Sequence, residues 1–215
     1  MIADVNLPLI LLAALIATAS PGPATLAIAG TSMASGRRYG LALASGITSG
    51  SLAWSIGAAA GLSVVMLANA WVFEAMRYLG AAYLLFLAVK SARSALKPNG
   101  APLKVNGMAV QRITPRSAGS AYRRGLLLHL TNPKAILFFG SLYAVGVPAD
   151  AAPATLALVI AAVGVQSAVV FHGYALLFSS PPLAAGYARL RRWFEAVFAV
   201  AFAAAGFKIL TARLN

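Results

Sequence analysis

The chain has 215 residues, of which 60% are hydrophobic and only 10% charged. A soluble domain of that size cannot hide so much apolar surface, so most of it must face lipid, and the chain reads as an all-α integral membrane protein. The formal charge of +13 does not indicate nucleic acid, because the 17 Lys and Arg lie between apolar runs rather than on one soluble face.

The first apolar run, about residues 5–35, is too long for one straight crossing. Its only early charge is Asp4, where a signal peptide would carry Lys or Arg, and the run continues past signal length. Pro21-Gly22-Pro23 interrupts it. Proline removes a backbone donor and clashes with the preceding turn, at a cost of roughly 3 kcal/mol in a helix interior. In hydrocarbon such a break survives only against protein or a watery cavity. Spans two and three follow at about 40–66 and 70–92.

Span two carries a stripe of Gly46, Gly50, Gly57 and Gly61, read as close helix packing. A patch of Ser45, Thr48 and Ser49 lies elsewhere around the helix. Thr48 and Ser49 are candidate pathway residues, although such hydroxyls also bond their own helix carbonyls.

Residues 97–119 are polar and proline-rich and read as a linker between two three-span repeats, 1–96 and 120–215. Span four, about 120–146, is interrupted by Asn132-Pro133-Lys134. Spans five and six follow at about 152–178 and 190–212. Basic residues border the turns after spans one, three and five: Arg37 and Arg38, then Lys90 through Arg124, then Arg189, Arg191 and Arg192. The turns around Asn69 and Asp150 have none. The positive-inside rule makes the basic turns cytoplasmic and puts both termini outside. Of the basic residues that break this asymmetry, Arg77 can pair with Glu74, and Lys208 and Arg213 can snorkel. Three spans per half force the second repeat to run opposite to the first, the inverted arrangement with paired broken helices used by many secondary transporters. At about 1.5 Å per residue, both breaks in helices one and four fall near the membrane midplane.

The candidate site follows from the breaks. A half-helix N-terminus offers free N–H groups and partial positive charge, which attract a carboxylate. Pro21, Gly22 and Pro23 would expose such groups in span one, and Asn132 and Pro133 in span four, Asn132 serving either as a cap or as a substrate contact. Lys134 would add a full positive charge, unless it snorkels to the cytoplasmic edge. His172 could relay protons, with Gln166, Tyr174 and Glu195 as further candidates; structural hydrogen bonds compete for each role, and a surface ion pair with Arg191 or Arg192 is the default for Glu195. His129 has the same dual standing. No metalloprotease, serine-hydrolase or phosphate-loop motif occurs, and zero cysteines with four acidic residues leave little for catalysis, a metal or a cofactor.

Ser20-Pro21-Gly22-Pro23, the segment from Gly40 to Trp54, Gly80 to Leu84, and Gly125 to Gly140 together resemble the lysine exporter/homoserine–threonine exporter superfamily. The similarity runs essentially end to end, and the segment from Asn132 to Tyr143 looks closest to threonine-exporter-like members. Many relatives carry Pro-Gln-Phe at Ala144-Val145-Gly146, an Asn at His129 and, in several, an acidic residue near Ser51. The resemblance implies a bacterial inner-membrane exporter of small amino acids or close derivatives, driven by the proton gradient. Its expected partners are the amino acid and membrane lipid, with no nucleic acid; a homo-oligomer is compatible with the sequence. An exporter of another small metabolite and a non-catalytic membrane scaffold subunit remain the alternatives.

Overall fold

The computed structural model describes residues 5–68, 70–97, 104–105, 108–109, 114–148 and 151–211. Asn69 and Asp150, and the side chains of Glu74, Arg77, Lys208 and Arg213, lie outside what is described.

The first run divides into α1 (Leu7–Ala19) and α2 (Pro23–Ser35), bent by 52°. A residue before proline is pushed out of the helical region, and Ser20 accordingly has ψ 140. Pro23 then starts α2 from the first helical position, where its missing N–H costs nothing. Gly36, at φ +83, turns α2 directly into α3 (Arg37–Ala68). Only glycine adopts that left-handed conformation readily, so a single residue makes this corner.

Helix α4 (Ala70–Ala95) precedes a short antiparallel pair, β1 (Lys104–Val105) and β2 (Met108–Ala109), within the expected linker. Helix α5 (Ala118–Leu130) opens with a reciprocal Ser117–Ser120 capping box. It stops before Asn132, and Pro133 starts α6 (Pro133–Gly146). Helices α7 (Pro153–Phe178) and α8 (Pro181–Thr211) complete the bundle. Helix α8 begins at Pro181 rather than near 190, so its first turns contain the Arg189–Arg192 cluster.

Two helical stretches, Arg37–Gly61 and α7, are long and apolar enough to cross a membrane, and the bent α1–α2 pair makes a third; this holds among the described residues. The outer surface is apolar as well, with Leu12, Phe86, Val169, Trp193 and Val200 all exposed. Inside, α3 packs on α5 and α7, and α4 packs on α8. Helix α1 lies against α7 and α6, and α2 lies against α3 and α7.

The α3–α5 crossing is backbone on backbone. A Cβ at Gly46 would stand 2.0 Å from the carbonyl oxygen of Tyr122, and one at Gly125 2.2 Å from that of Leu43. Gly50 continues the contact against His129, whereas Gly57 and Gly61 face open space. The glycine stripe therefore packs over half its length.

Candidate functional site between the two helix breaks

A broken helix leaves its last carbonyls without N–H partners. At the end of α1 two of these acceptors are met from the other half of the chain. Tyr174 Oη on α7 donates to the Ala19 carbonyl at 2.6 Å. Lys134 Nζ, at the start of α6, donates to the Ser20 carbonyl at 3.0 Å and to Ser20 Oγ. Lys134 therefore does not snorkel: its ammonium turns inward to the first break. A cation at the N-terminus of its own helix is unfavourable, and the negative end of α1 offsets that. Gly22 leaves room for this arm, because a Cβ there would stand 3.3 Å from Lys134 Cδ.

Asn132 is buried, and its Oδ1 accepts from the Lys134 backbone N–H at 3.0 Å, which is the capping role. Pro133 is exposed beside it at the first position of α6. Ser20, Gly22, Asn132 and Lys134 line a cavity of about 40 Å³, with Thr25, Ser51, His129, Phe138 and Phe171 among the other walls. That space holds a few waters at most and is too small for an amino acid in this conformation.

Thr48 and Ser49 do not reach the cavity. Thr48 Oγ1 bonds the Ala44 carbonyl at 2.9 Å and Ser49 Oγ bonds that of Ser45 at 3.1 Å, the local bonding that competes with a pathway role. Ser49 also accepts from Tyr122 Oη at 3.0 Å. The hydroxyl that α3 does supply is Ser51, buried and bonded to Ser167 Oγ at 3.3 Å.

The four residues read as a relay are dispersed. His172 lies 3.0 Å from Ser45 Oγ and 2.8 Å from the Ala168 carbonyl, and Gln166 donates to the Leu11 carbonyl at 2.9 Å. Tyr174 serves the first break. Glu195, expected as a surface ion pair, is buried and accepts from Ser94 Oγ at 2.8 Å. Arg191 donates to the same hydroxyl at 3.0 Å. Glu195 lines a second, larger cavity of about 810 Å³ at the basic end of the bundle, with Lys90, Arg93 and Lys97. That vestibule reaches inward to Ser20 and Pro21. Ser20 thus borders both spaces, and its bond with Lys134 stands where they meet.

A family model described as LysE type translocator matches residues 15–213. The chain belongs to the LysE-type translocator family. It is 28% identical over 199 residues to a threonine efflux protein of Salmonella typhi and 29% identical to that of Escherichia coli (strain K12), covering 93% of this chain and 94% of each relative. A leucine efflux protein of Salmonella choleraesuis (strain SC-B67) is 35% identical over 123 residues, covering 57% of this chain and 54% of the relative. No solved structure matches.

This LysE-type translocator keeps both breaks where proline chemistry requires them. Of the cavity walls, Ser20, Thr25 and Ser51 were not among the sequence candidates, and His129 stood there with a relay and a structural role both open. Ser20 had a readable signal: Pro21 has no N–H for the Ala17 carbonyl four residues back, and the neighbouring serine hydroxyl can supply the donor, as Ser20 Oγ does at 3.0 Å. Thr25 and Ser51 had none, since small hydroxyls recur throughout these helices.

Proposed function

We propose that this translocator is a secondary exporter of small amino acids of the threonine or homoserine kind. It exchanges them for protons by alternating access across a bacterial inner membrane. The observation that carries the reading is the meeting of both helix breaks at one cavity, with the Lys134 ammonium reaching from the second break to the first. An amino-acid carboxylate entering there would accept from Lys134 and from the free N–H groups of the first turn of α2. The whole-length similarity to threonine efflux proteins supports the substrate class.

The architecture in this reading is six crossings in two inverted repeats: α1–α2, α3 and α4, then α5–α6, α7 and α8. Part of the packing supports it by exchanging under that correspondence, although α2 on α3 and α4 on α6 have no matching counterpart among the described residues. Helix α4 pairs with α8 and α3 with α7; α1 lies on α7 as α5 lies on α3, and α2 lies on α7 as α6 lies on α3. The basic residues that line the vestibule support a cytoplasmic placement for that end, which in this reading leaves both termini periplasmic. Its 810 Å³ reaches Ser20, which also borders the much smaller inner space, and this continuity supports loading from the inside. Admitting the substrate requires Lys134 to exchange Ser20 for the incoming carboxylate.

Efflux of isotope-labelled threonine, homoserine and leucine from loaded cells, with and without the gene, tests the function. Faster loss of at least one amino acid when the gene is present is expected. Equal efflux for all three, with the protein at normal abundance in the membrane, would remove the reading.

A further inference from the structure

Among the described residues that line the inner cavity, His129 carries two fully buried ring nitrogens that no hydrogen bond meets. It is 5% exposed, and neither Nδ1 nor Nε2 has a hydrogen-bond partner. A buried polar group without a partner is costly, and a neutral imidazole in that state has both a donor and an acceptor waiting. Its backbone, in contrast, is tightly held. The His129 carbonyl accepts from Trp54 Nε1 at 3.3 Å and from the Asn132 N–H at 3.2 Å. Phe171 meets the ring edge-on at 5.8 Å, and Gly50 gives α5 its close seat on α3. The ring is therefore fixed in place with its hydrogen-bonding capacity unspent at a wall of the cavity.

We propose that His129 is the group through which a proton and the amino acid exclude one another. This rests on the exporter reading above. With Lys134 holding the carboxylate, the neutral ring accepts a hydrogen bond from the substrate's α-ammonium. Once protonated, the ring has two donors and no acceptor, and its charge opposes the ammonium.

The charges around the ring allow this. Helix α6 supplies Lys134, the charged group that acts on His129. The other walls are neutral: Ser20 at the end of α1, Thr25 from α2, Ser51 from α3 and Phe171 from α7. No described carboxylate lines the cavity to hold a permanent imidazolium there. In the cycle, one proton binds the ring from outside as the amino acid leaves. That proton departs to the cytoplasm before the next amino acid binds, so one proton enters for each substrate exported.

The test uses purified wild-type protein and His129→Gln, which keeps an acceptor but does not titrate, with labelled L-threonine and L-leucine as probes. In the wild type, affinity should fall about tenfold for each pH unit on the acid side of the ring's titration. In His129→Gln the affinity should be independent of pH over the same range. After reconstitution in liposomes, the variant should still exchange internal for external amino acid, but its accumulation driven by a pH gradient should fall to one-fold. Retained gradient-driven accumulation, or retained pH dependence, would overturn the proposal. So would loss of all binding by a well-folded His129→Gln, because the acceptor is still present. Failure of the wild type to bind either amino acid is a separate result that removes the exporter reading itself, and the ammonium-binding role with it.

Discussion

The crossing of α3 and α5 positions His129, Trp54 and Ser51, and it depends on two missing side chains. Gly46→Ala adds one methyl where the nearest atom, the Tyr122 carbonyl oxygen, stands 2.0 Å away and the Leu126 nitrogen 2.8 Å away. Ordinary contact begins near 3.4 Å. Both neighbours are backbone, so no rotamer change relieves the clash and the helices must part by more than 1 Å. Overpacking of this kind costs about 1–3 kcal/mol, and the upper part of that range applies where only backbone can move. For a chain of this length, each kcal/mol lowers the midpoint by about 2–4 °C. Thermal unfolding of the detergent-purified variant should therefore begin about 4–12 °C below wild type. Gly57→Ala, on the same helix and the same stripe, meets nothing within 4 Å. It should be neutral or gain up to about 1 kcal/mol of helix propensity. Equal midpoints for the two variants, measured by size-exclusion chromatography after heating, would refute the close-crossing account.

Pro21→Ala and Pro133→Ala should lower transport strongly while leaving membrane abundance near wild type, because these prolines keep the breaks open rather than fill a core. Normal efflux by both variants at normal abundance would contradict the broken-helix account. The absence of native cysteines makes topology direct to measure with single cysteines and a membrane-impermeant thiol reagent. In intact cells Ala152→Cys should label and Lys97→Cys should not; the reverse pattern would invert the orientation.

The breaks were legible because proline acts covalently and locally. Pro23 and Pro133 begin α2 and α6 whatever surrounds them. Apolar length placed the long helices, except that α8 begins at Pro181 rather than near 190. Which face of each helix turns inward was not. In lipid the outer face is as apolar as the inner one, so periodicity loses the contrast that orients a soluble helix. Thr48 and Ser51 illustrate this: three residues apart on α3, one bonds its own helix while the other lines the cavity. The glycine stripe shows it again, with Gly46 and Gly50 packed and Gly57 and Gly61 open. Glu195 looked like a surface partner of two arginines, and only the α4–α8 pairing, which no local pattern encodes, buries it against Ser94.

The central claim is that the two breaks form one amino-acid site whose carboxylate anchor is Lys134. The most direct measurement compares the affinities of wild type, Lys134→Gln and Lys134→Arg for L-threonine and for its methyl ester. A charged hydrogen bond contributes about 1.5–3 kcal/mol, so Lys134→Gln should weaken the free acid by about ten- to a hundredfold and the ester far less. Lys134→Arg should also lose affinity for the acid, because a planar guanidinium does not fit where a compact ammonium bridges Ser20 and the incoming carboxylate. Equal losses for acid and ester in Lys134→Gln, or full activity in Lys134→Arg, would contradict the account.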